Sequence, residues 1–281
     1  MRDKADPRPV VAGYDGSTAS ERALRWAVEE ARLRFVPLVV CHAWQWSSGM
    51  PLSSASMDTI RRMGQQVLER GVILARDLAH RLEVRTRLDT GSPSVVLMSE
   101  SGLADLLVVG SRGSGGFAEL QIGSTAVQLA AHAYCPVAVV REQPHPRANR
   151  VVVGVDGTAP ERSELGLAFE EARLRKAPLR AICLSPEDVE DTREFATRFH
   201  QAIAVWEEKY AEVTVETAVE SDSHITALQQ AAREADVVLI GDRARTDPVE
   251  LPLGPVCQAL LRGASCPVIV IPSQRPVKVS R

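Results

Sequence analysis

Cysteine is scarce in this sequence, and its few copies form no metal-binding or disulfide pattern. The chain has five cysteines in 281 residues, an odd number, and no two of them are separated by only two residues. This arrangement argues against a disulfide framework and against a structural zinc site. Cys135 and Cys266 each precede a proline and an apolar run, which predicts small buried side chains at the entrances of two strands.

Long apolar runs and an excess of charge are also missing. No stretch approaches the ~18 consecutive apolar residues of a membrane span, and the opening MRDKADPRPVV lacks the apolar centre of a secretion signal. The formal net charge is only -3, which gives no overall electrostatic attraction to nucleic acid or to an anionic membrane. We therefore expect a cytoplasmic protein that binds neither nucleic acid nor membranes.

What the sequence does contain is an internal repeat. EEARLRFVPL at 29–38 returns as EEARLRKAPL at 170–179, and VVAGYDGS at 10–17 returns as VVVGVDGT, each 141 positions later. The Cys-Pro-Val that begins at Cys135 returns after only 131 positions, so the second copy is shorter by about ten residues. The loop at 45–54 is the segment that we expect the second copy to lack.

Length and composition agree with this duplication. At 281 residues, 45% hydrophobic and 25% charged, the chain has the size and composition of about two ordinary globular domains. We infer a first domain at 1–143 and a second at 149–281, joined by a polar linker that two prolines punctuate.

Within each copy, apolar strands alternate with amphipathic helices. In the first domain the predicted strands are 9–14, 38–43, 84–88, 106–109 and 137–140. Helices are predicted after a capping box at Thr18-Ala19-Ser20-Glu21, over 57–81, after Ser92-Pro93 and over 124–133. Near-continuous apolar strands between helices predict a parallel sheet covered on both faces. The predicted fold class is α/β, with two tandem doubly wound five-stranded sheets in the strand order 3-2-1-4-5.

The loop at 110–124 carries most of the candidate chemistry. In a doubly wound sheet, ligands bind beyond the carboxyl ends of the strands where the winding reverses, which here means after strands 1 and 4. The loop is rich in glycine, whose bare backbone lets amides approach a phosphate, and Gly123-Ser124 begins a helix whose first amides favour an anion. A flexible surface loop with glycines at its turns is the alternative reading.

Two familiar nucleotide motifs do not fit this loop. The chain has no GxxxxGK[ST], so the loop is not of the Walker type. Residues 113–118 satisfy a relaxed GxGxxA, but they do not follow the strand directly, open no helix and have no acidic residue about twenty positions later. We therefore attribute that match to chance.

The frame Gly110-x2-Gly113-x9-Gly123-Ser124 resembles the ATP-binding signature of the universal stress protein family. The likeness covers nearly the whole chain in two copies. It includes the first-copy segments Gly13-Tyr14-Asp15-Gly16-Ser17, Cys41-His42-Ala43 and Cys135-Pro136-Val137-Ala138-Val139-Val140. It implies a fold similar to that of adenine nucleotide alpha hydrolases, and an ATP-binding sensor or regulator of stress responses that is not an enzyme.

The resemblance also implies roles for individual residues. Asp15 would lie at the ribose and adenosine end of ATP, with or without Mg²⁺, and Gly13 would supply backbone nearby. Ala43 would meet the adenine through its backbone. The phosphates would be held by residues of the glycine loop, namely Gly110, Gly113, Gly123, Ser124 and Thr125, and Arg112 within the loop could meet a phosphate oxygen. Val109, directly before Gly110, is also a predicted ATP-binding residue. For Arg112, a solvated surface position is the open alternative.

The second copy has lost much of this frame. At the same spacing it reads Gly241-x2-Ala244-x9-Gly254-Pro255. Ala244 adds a Cβ, and Pro255 removes a hydroxyl and a backbone N–H. Carboxylates also enter the segment, at Asp242, Asp247 and Glu250, and each would repel a phosphate. We expect the second domain to bind ATP much more weakly than the first, or not at all.

Several alternatives remain open at this point. A slow ATPase or phosphotransfer switch would need a base near the terminal phosphate, and Glu119 is the only carboxylate inside the loop. A nucleotide-free interaction module is a third reading, and the loop at 45–57 could be a lid or mobile surface. The apolar fifth strands at 137–140 and 268–271 would be sheet edges. The resemblance implies that they pair with each other inside one chain, and it leaves a homodimer open.

Overall fold

The computed structural model describes residues 7–44, 54–114, 121–141, 148–157, 163–185, 193–221, 223–242 and 253–272. Their contacts divide the chain into two compact units, with the boundary between Val140 and Arg141. The predicted linker at 142–147 lies outside the described residues.

The first unit has five strands and four helices among its described residues. The strands are β1 (Val10–Gly13), β2 (Leu38–Trp44), β3 (Val84–Thr90), β4 (Leu106–Gly110) and β5 (Val137–Val140). The helices are α1 (Thr18–Arg34), α2 (Ser54–Leu78), α3 (Pro93–Ser101) and α4 (Ser124–His132). Every predicted element is present. The largest differences are at β3, which continues past residue 88 to Thr90, and at α2, which has the predicted length but begins and ends three residues earlier.

These five strands form a parallel sheet in the order β3-β2-β1-β4-β5. β1 is central, and Val10 pairs with Leu38 of β2 on one side and with Leu106 of β4 on the other. Val10 and Ala12 are fully buried and Val11 is 1% exposed, so helices cover both faces of the strand. The winding reverses between β1 and β4, which confirms the predicted α/β fold. The carboxyl ends of these two strands are the edge where a ligand is predicted to bind.

The start of α1 differs from the prediction by one residue. The cap is Ser17 rather than Thr18: the Ser17 hydroxyl accepts a hydrogen bond from the backbone N–H of Ser20 at 3.2 Å. Ser20 in turn donates from its own hydroxyl to the Ser17 carbonyl at 2.9 Å. Both Ser17 and Thr18 are good capping residues, and the turn made by Gly16, at a φ of 78°, brings Ser17 into the capping position.

The second unit repeats this architecture. Its strands are β6 (Val151–Asp156), β7 (Leu179–Leu184), β8 (Val215–Glu220), β9 (Val237–Gly241) and β10 (Val268–Ile271). Its helices are α5 (Ser163–Arg175), α6 (Arg193–Lys209), α7 (His224–Ala232) and α8 (Pro255–Gly263). The strands are parallel in the order β8-β7-β6-β9-β10. The capping box expected at 158–161 lies outside the described residues.

Each unit also buries an ion pair in the repeated EEARLR segment. Glu30 pairs with Arg34 in α1, and Glu171 pairs with Arg175 in α5. The two glutamate side chains are 1% and 0% exposed. A buried carboxylate is costly unless it is paired. This cost explains why both copies contain the glutamate and the arginine at this point of the repeat.

All five cysteines are buried and none of them forms a disulfide, and the burial of Cys135 and Cys266 agrees with the prediction. Burial raises the pKa of Cys135 and of Cys266 to about 12, so both thiols stay protonated and unreactive at neutral pH. Within the described parts of the chain, no helix has both the length and the apolar character needed to cross a membrane.

Candidate functional site

The carboxyl ends of β1 and β4 bring the first predicted site residues together. A Cβ added to Gly13 would lie 3.2 Å from Val109 Cγ1 and 2.9 Å from Leu97 Cδ1 of α3. Gly13 and Val109 are therefore neighbours at the sheet edge. The missing side chain at Gly13 is what allows α3 to pack this closely over β1.

Asp15 ties the loop after β1 to the loop after β4. Its carboxylate accepts a hydrogen bond from the backbone N–H of Ser17 at 3.0 Å and another from that of Ser114 at 2.6 Å. Burial by itself would raise the pKa of Asp15, but hydrogen bonds from Ser17, Ser114 and Ser20 outweigh it and leave the pKa below its ordinary value. Asp15 is thus an ionised acceptor at neutral pH.

Two of the loop glycines are explained by contacts within the protein. A Cβ on Gly110 would lie 2.8 Å from the backbone C and O atoms of Ala19 in α1. A Cβ on Gly113 would lie 2.9 Å from Asp15 Oδ2. The expectation was that both glycines serve a phosphate. The structure gives each of them a packing role that needs no ligand.

Gly123 is different, because no contact with the described residues requires it to be glycine. Its φ is -77°, and a Cβ would have no atom nearer than 3.5 Å. Its N–H donates to the Ser111 carbonyl at 2.7 Å, which closes the base of the loop. Gly123 therefore places no side chain in front of α4.

The first turn of α4 presents backbone donors to that space. Ser124, Thr125 and Ala126 have no backbone acceptor among the described residues, and the helix has no side-chain cap. Ser124 is exposed and Thr125 half-buried. Arg112 is half-buried, with its Cα 3.5 Å from the Cβ position of Gly123. Such a helix end attracts anions.

Ala43 lies where the adenine was expected, at the edge beyond β1. The Cys41 carbonyl accepts from the Tyr14 N–H at 2.8 Å, on the β1 side, whereas the Trp44 carbonyl accepts from Gly91 on the β3 side. Because backbone groups alternate sides along a strand, the N–H and C=O of Ala43 point past the end of β1. A planar base with a hydrogen-bond donor and an acceptor on one edge could pair with the C=O and the N–H of Ala43.

The structure thus places all ten predicted residues around one edge of the first unit. Residues 115–120, which include Glu119, lie outside the described residues. Asp15 and the glycine loop are in direct contact, while Ala43 lies on the β2 side of the same edge.

In the second unit, a protein carboxylate lies beside the start of the corresponding helix, α8. Asp242 is 4% exposed, and its Oδ1 accepts a hydrogen bond from the Gly254 N–H at 3.4 Å. In the first unit the corresponding Gly123 N–H is bound by a backbone carbonyl. Pro255 then begins α8 without an N–H. The helix end that would attract a phosphate already faces a negative charge.

A second buried carboxylate adds to this effect. Glu164, in the first turn of α5, is 6% exposed, and a Cβ on Gly241 would coincide with its carboxylate group. Asp242 and Glu164 therefore flank the last residue of β9. Residues 243–252, with Ala244, Asp247 and Glu250, lie outside the described residues.

Three contributors escaped the sequence analysis. Ser114 and Ser20 bind Asp15 through backbone and side chain, and a search for serine caps around Asp15 would have suggested Ser20. Glu164 could have been found from the repeat, because it aligns with the fully buried Ala23 at the 141-residue offset. An acidic residue at a position that is apolar in the other copy indicates a special role, and helix propensity alone does not detect it.

One surface groove lies elsewhere in the first unit. It has a volume of about 600 Å³ and is lined by residues of α3 and α4, such as Val95 and Met98, and by Tyr134 after α4. At the position of Met98 the second unit has Gln229, whose side chain donates to the Ala259 carbonyl at 3.3 Å. The groove holds none of the ten predicted residues.

Comparison with known proteins identifies relatives of the same length. The sequence pattern of the universal stress protein family matches residues 7–141 and 148–272. The universal stress protein Rv2028c of Mycobacterium tuberculosis is 30% identical over 280 residues, covering 98% of this chain and 99% of that protein. Rv2623 of the same organism is 29% identical over 283 residues, covering 93% and 95%.

Solved structures show the same fold. A universal stress protein from Archaeoglobus fulgidus superposes with a TM-score of 0.75 at 17% identity, covering 94% of this chain and 96% of that one. Two shorter structures are universal stress proteins in complex with cAMP and with dAMP; each covers 48% of this chain, with TM-scores of 0.39 and 0.37. Superpositions this weak do not place a ligand in the present chain.

Proposed function

The chain belongs to the universal stress protein family, and on that premise we propose that its first unit binds one ATP and acts as a sensor or regulator in stress responses. The observation that carries the proposal is the open first turn of α4 behind Gly123. Its amides have no acceptor among the described residues, and no contact with those residues requires glycine at position 123.

The phosphate end of the site would be formed by this helix turn. The amides and hydroxyls of Ser124 and Thr125 would donate to phosphate oxygens, with the helix dipole favouring negative charge. Arg112, next to Gly123, carries the nearby positive charge and can form charge-assisted hydrogen bonds. A bound Mg²⁺ would neutralise further phosphate charge. These features fit a polyphosphate better than an uncharged ligand.

The adenosine end would be formed across the ends of β1 and β2. Asp15, an ionised acceptor, would receive the ribose hydroxyls, and the backbone of Ala43 would bind the adenine edge. Asp15 also fixes the glycine loop through Ser114. We infer that nucleotide binding and the position of that loop are coupled through this one carboxylate.

We further propose that the second unit does not hold a triphosphate. Asp242 and Glu164 are buried carboxylates beside Gly241, and phosphate oxygens placed there would meet like charge. Pro255 removes one of the amides that Ser124 supplies in the first unit. Binding of ATP would therefore be confined to one unit of the two.

The site is proposed to bind rather than to convert its ligand. A general base needs a pKa near the working pH, whereas the pKa of Asp15 is lowered by hydrogen bonds that already engage both its oxygens. Asp15 is suited to positioning hydroxyls. We assign no catalytic residue to this unit.

The proposal is tested by calorimetric titration of the full chain with ATP and Mg²⁺. We expect about one ATP per chain, abolished by Gly123→Val and retained by the matched Gly254→Val, whose Cβ would also enter open space. A stoichiometry near two, or unchanged affinity in Gly123→Val, would contradict it. Release of ADP during prolonged incubation would favour the slow ATPase instead.

A further inference from the structure

The groove between α3 and α4 of the first unit carries exposed apolar side chains. Val95 of α3 is 67% exposed and Tyr134, after α4, is 51% exposed, and both line the groove together with Met98. Leu103, which directly follows the groove residue Gly102, is 69% exposed. Single exposed apolar residues are common on protein surfaces, whereas adjoining ones mark interaction sites. We call Val95, Met98, Leu103 and Tyr134 the apolar patch.

The members of the apolar patch meet at the end of α3. A Cβ on Gly102 would lie 3.9 Å from Tyr134 Cδ2, so the tyrosine ring lies close to the last turn of α3. The Tyr134 N–H donates to the Ser101 hydroxyl at 3.0 Å, which holds the turn after α4 against α3. Tyr134 and Leu103 are thus both next to Gly102, and the patch is one surface rather than scattered residues.

The second unit has polar residues at all four positions of the apolar patch. At the 131-residue offset, Val95, Met98, Leu103 and Tyr134 correspond to Thr226, Gln229, Glu234 and Ser265. Thr226 and Glu234 are exposed, as Val95 and Leu103 are. The same fold therefore accepts polar side chains at these positions. Folding alone does not explain why the first unit has apolar residues there.

The end of α1 adds a further exposed apolar residue. Phe35 is 90% exposed and has a φ of 56°, a conformation that costs least for glycine. The second unit has Lys176 at this position, with a φ of 53°. Arg34 Nε lies 3.5 Å from Asp105 Oδ2, so the end of α1 is close to the segment that contains Leu103. Phe35 therefore lies near the rim of the apolar patch.

The groove suits a protein surface better than a small molecule. Its volume of about 600 Å³ is that of a ligand pocket, but such pockets enclose most of their ligand, whereas Val95 and Tyr134 keep more than half of their surface exposed. None of the eight described residues that line the groove is acidic or carries a lysine or arginine charge, although 25% of the sequence is charged. A surface with tyrosine and methionine and without charge resembles the core of a protein–protein interface.

A second copy of this chain meets these requirements. In a two-fold dimer the same surface lies on both sides, so a charge near the axis would face its own copy; the lining of the groove contributes no such charge. The apolar patch also combines a recess with an exposed side chain beside it, Leu103. We propose that two copies of the chain associate through the apolar patches of their first units, with Leu103 of each copy in the α3–α4 groove of the other.

The size of the surface sets the strength of this dimer. A standard protein interface uses about 20–30 residues of each partner. The groove supplies eight described residues, and Leu103 and Phe35 lie beside it. This is the small end of specific interfaces, so we expect a reversible dimer in equilibrium with the monomer at micromolar concentrations.

The test is sedimentation velocity of the full chain without nucleotide, over a range of protein concentrations. We expect the fraction of dimer to rise with concentration. Leu103→Glu, which introduces the residue that the second unit has at this position, should weaken association by about a hundredfold or more, because it places like charges in the interface. Val205→Glu is the matched control. It adds the same charge at a valine of α6 that is 66% exposed and should leave association unchanged.

A second measurement identifies the face that is buried. The chain has three tyrosines, which are labelled with fluorotyrosine and assigned by substitution with phenylalanine. The fluorine NMR signal of Tyr134 should move as the protein concentration rises. The signals of Tyr14, which is 4% exposed, and of Tyr210 in the second unit should stay in place. This readout uses the wild-type sequence, so it does not depend on the folding of a charged variant.

Three results would overturn the proposal. A chain that remains monomeric at every concentration would show that the apolar patch does not bind a second copy. A Leu103→Glu dimer as stable as the wild type would place the interface elsewhere. Dimer formation without a shift of the Tyr134 signal would do the same. Since no nucleotide is present, a failure of the first unit to bind ATP would leave each of these results readable.

Discussion

At the scale of single residues, glycines that look alike in the sequence are present for different reasons. Gly110 permits the close approach of α1, and Gly113 makes room for the Asp15 carboxylate. Gly123 has ordinary φ and open space in front of it. Only the third is left for a ligand to explain. A glycine-rich motif is therefore part packing and part binding, and structure is needed to separate the two.

This distinction predicts opposite outcomes for two substitutions. Gly110→Ala should destabilise the protein by about 1–3 kcal/mol, because its Cβ meets the backbone of Ala19, which cannot rotate away. Gly123→Ser should leave stability unchanged or slightly raised, because serine is a better N-cap than glycine, while ATP affinity falls. Urea denaturation and ATP titration of both variants measure this. Equal losses of stability would refute the assignment.

Asp15 predicts a pH dependence. Since its folded pKa lies below the ordinary 3.8, its contribution to stability is present above pH 3.8 and is lost as the pH falls through the folded pKa. Asp15→Asn should therefore be less stable than the wild type at pH 7 by about 1 kcal/mol. The gap should close below pH 3.8. Denaturant titrations of both proteins from pH 7 to 3 measure the gap, and a constant difference would rule out an ionised Asp15 as its source.

At the scale of helices and strands, the start of α1 makes the sharpest prediction. Ser17→Ala removes the side chain that accepts from the Ser20 N–H and should cost about 1 kcal/mol. Thr18→Ala, at the exposed position that the sequence suggested as the cap, should cost less than half of that. Thermal denaturation of the two variants compares them. A larger loss of stability in Thr18→Ala than in Ser17→Ala would show that Thr18 is the cap, as the sequence predicts.

The buried ion pairs make another prediction at this scale. Arg175→Met removes the partner of Glu171, whose side chain is fully buried, and should destabilise the second unit by about 3 kcal/mol. Replacing both residues, in Glu171→Leu with Arg175→Met, should recover most of the loss because no buried charge remains. Equilibrium unfolding gives both values. A double variant as unstable as the single one would show that the charge is not the cause.

The strands and helices could be predicted from the sequence. Strands that are buried on both faces appear as uninterrupted apolar runs, and helices show apolar residues at helical spacing. The ends of helices were harder to predict, as the start of α1 shows. Ser17 and Thr18 are adjacent and equally good capping residues, and the turn at Gly16 decides between them. In the site, residue types and spacing located the loop. They could not reveal Ser114, whose role depends on a neighbour distant in the chain.

At the scale of the whole molecule, the chain is a duplication whose copies have diverged at one edge of the sheet. Cores, strand orders and even a buried ion pair are retained in both units. One difference lies at the carboxyl end of β9, where Asp242 and Glu164 are buried. Substitutions at such an edge can alter a site while the strands that carry it are retained.

The same divergence predicts where ATP should protect the backbone. Ligand at 100 times its Kd stabilises the bound state by about 2.7 kcal/mol, so amide exchange followed by mass spectrometry should slow in the loop after β1 and in the first turn of α4. The backbone amides in the first turn of α8 should exchange at an unchanged rate. Pro255 has no N–H, and Asp242 already accepts a hydrogen bond from Gly254, so we expect no phosphate to bind there. Gly123→Val with ATP serves as the control and should show no protection in either unit. Slower amide exchange at α8, alone or together with α4, would show that the second unit also binds the phosphates of ATP.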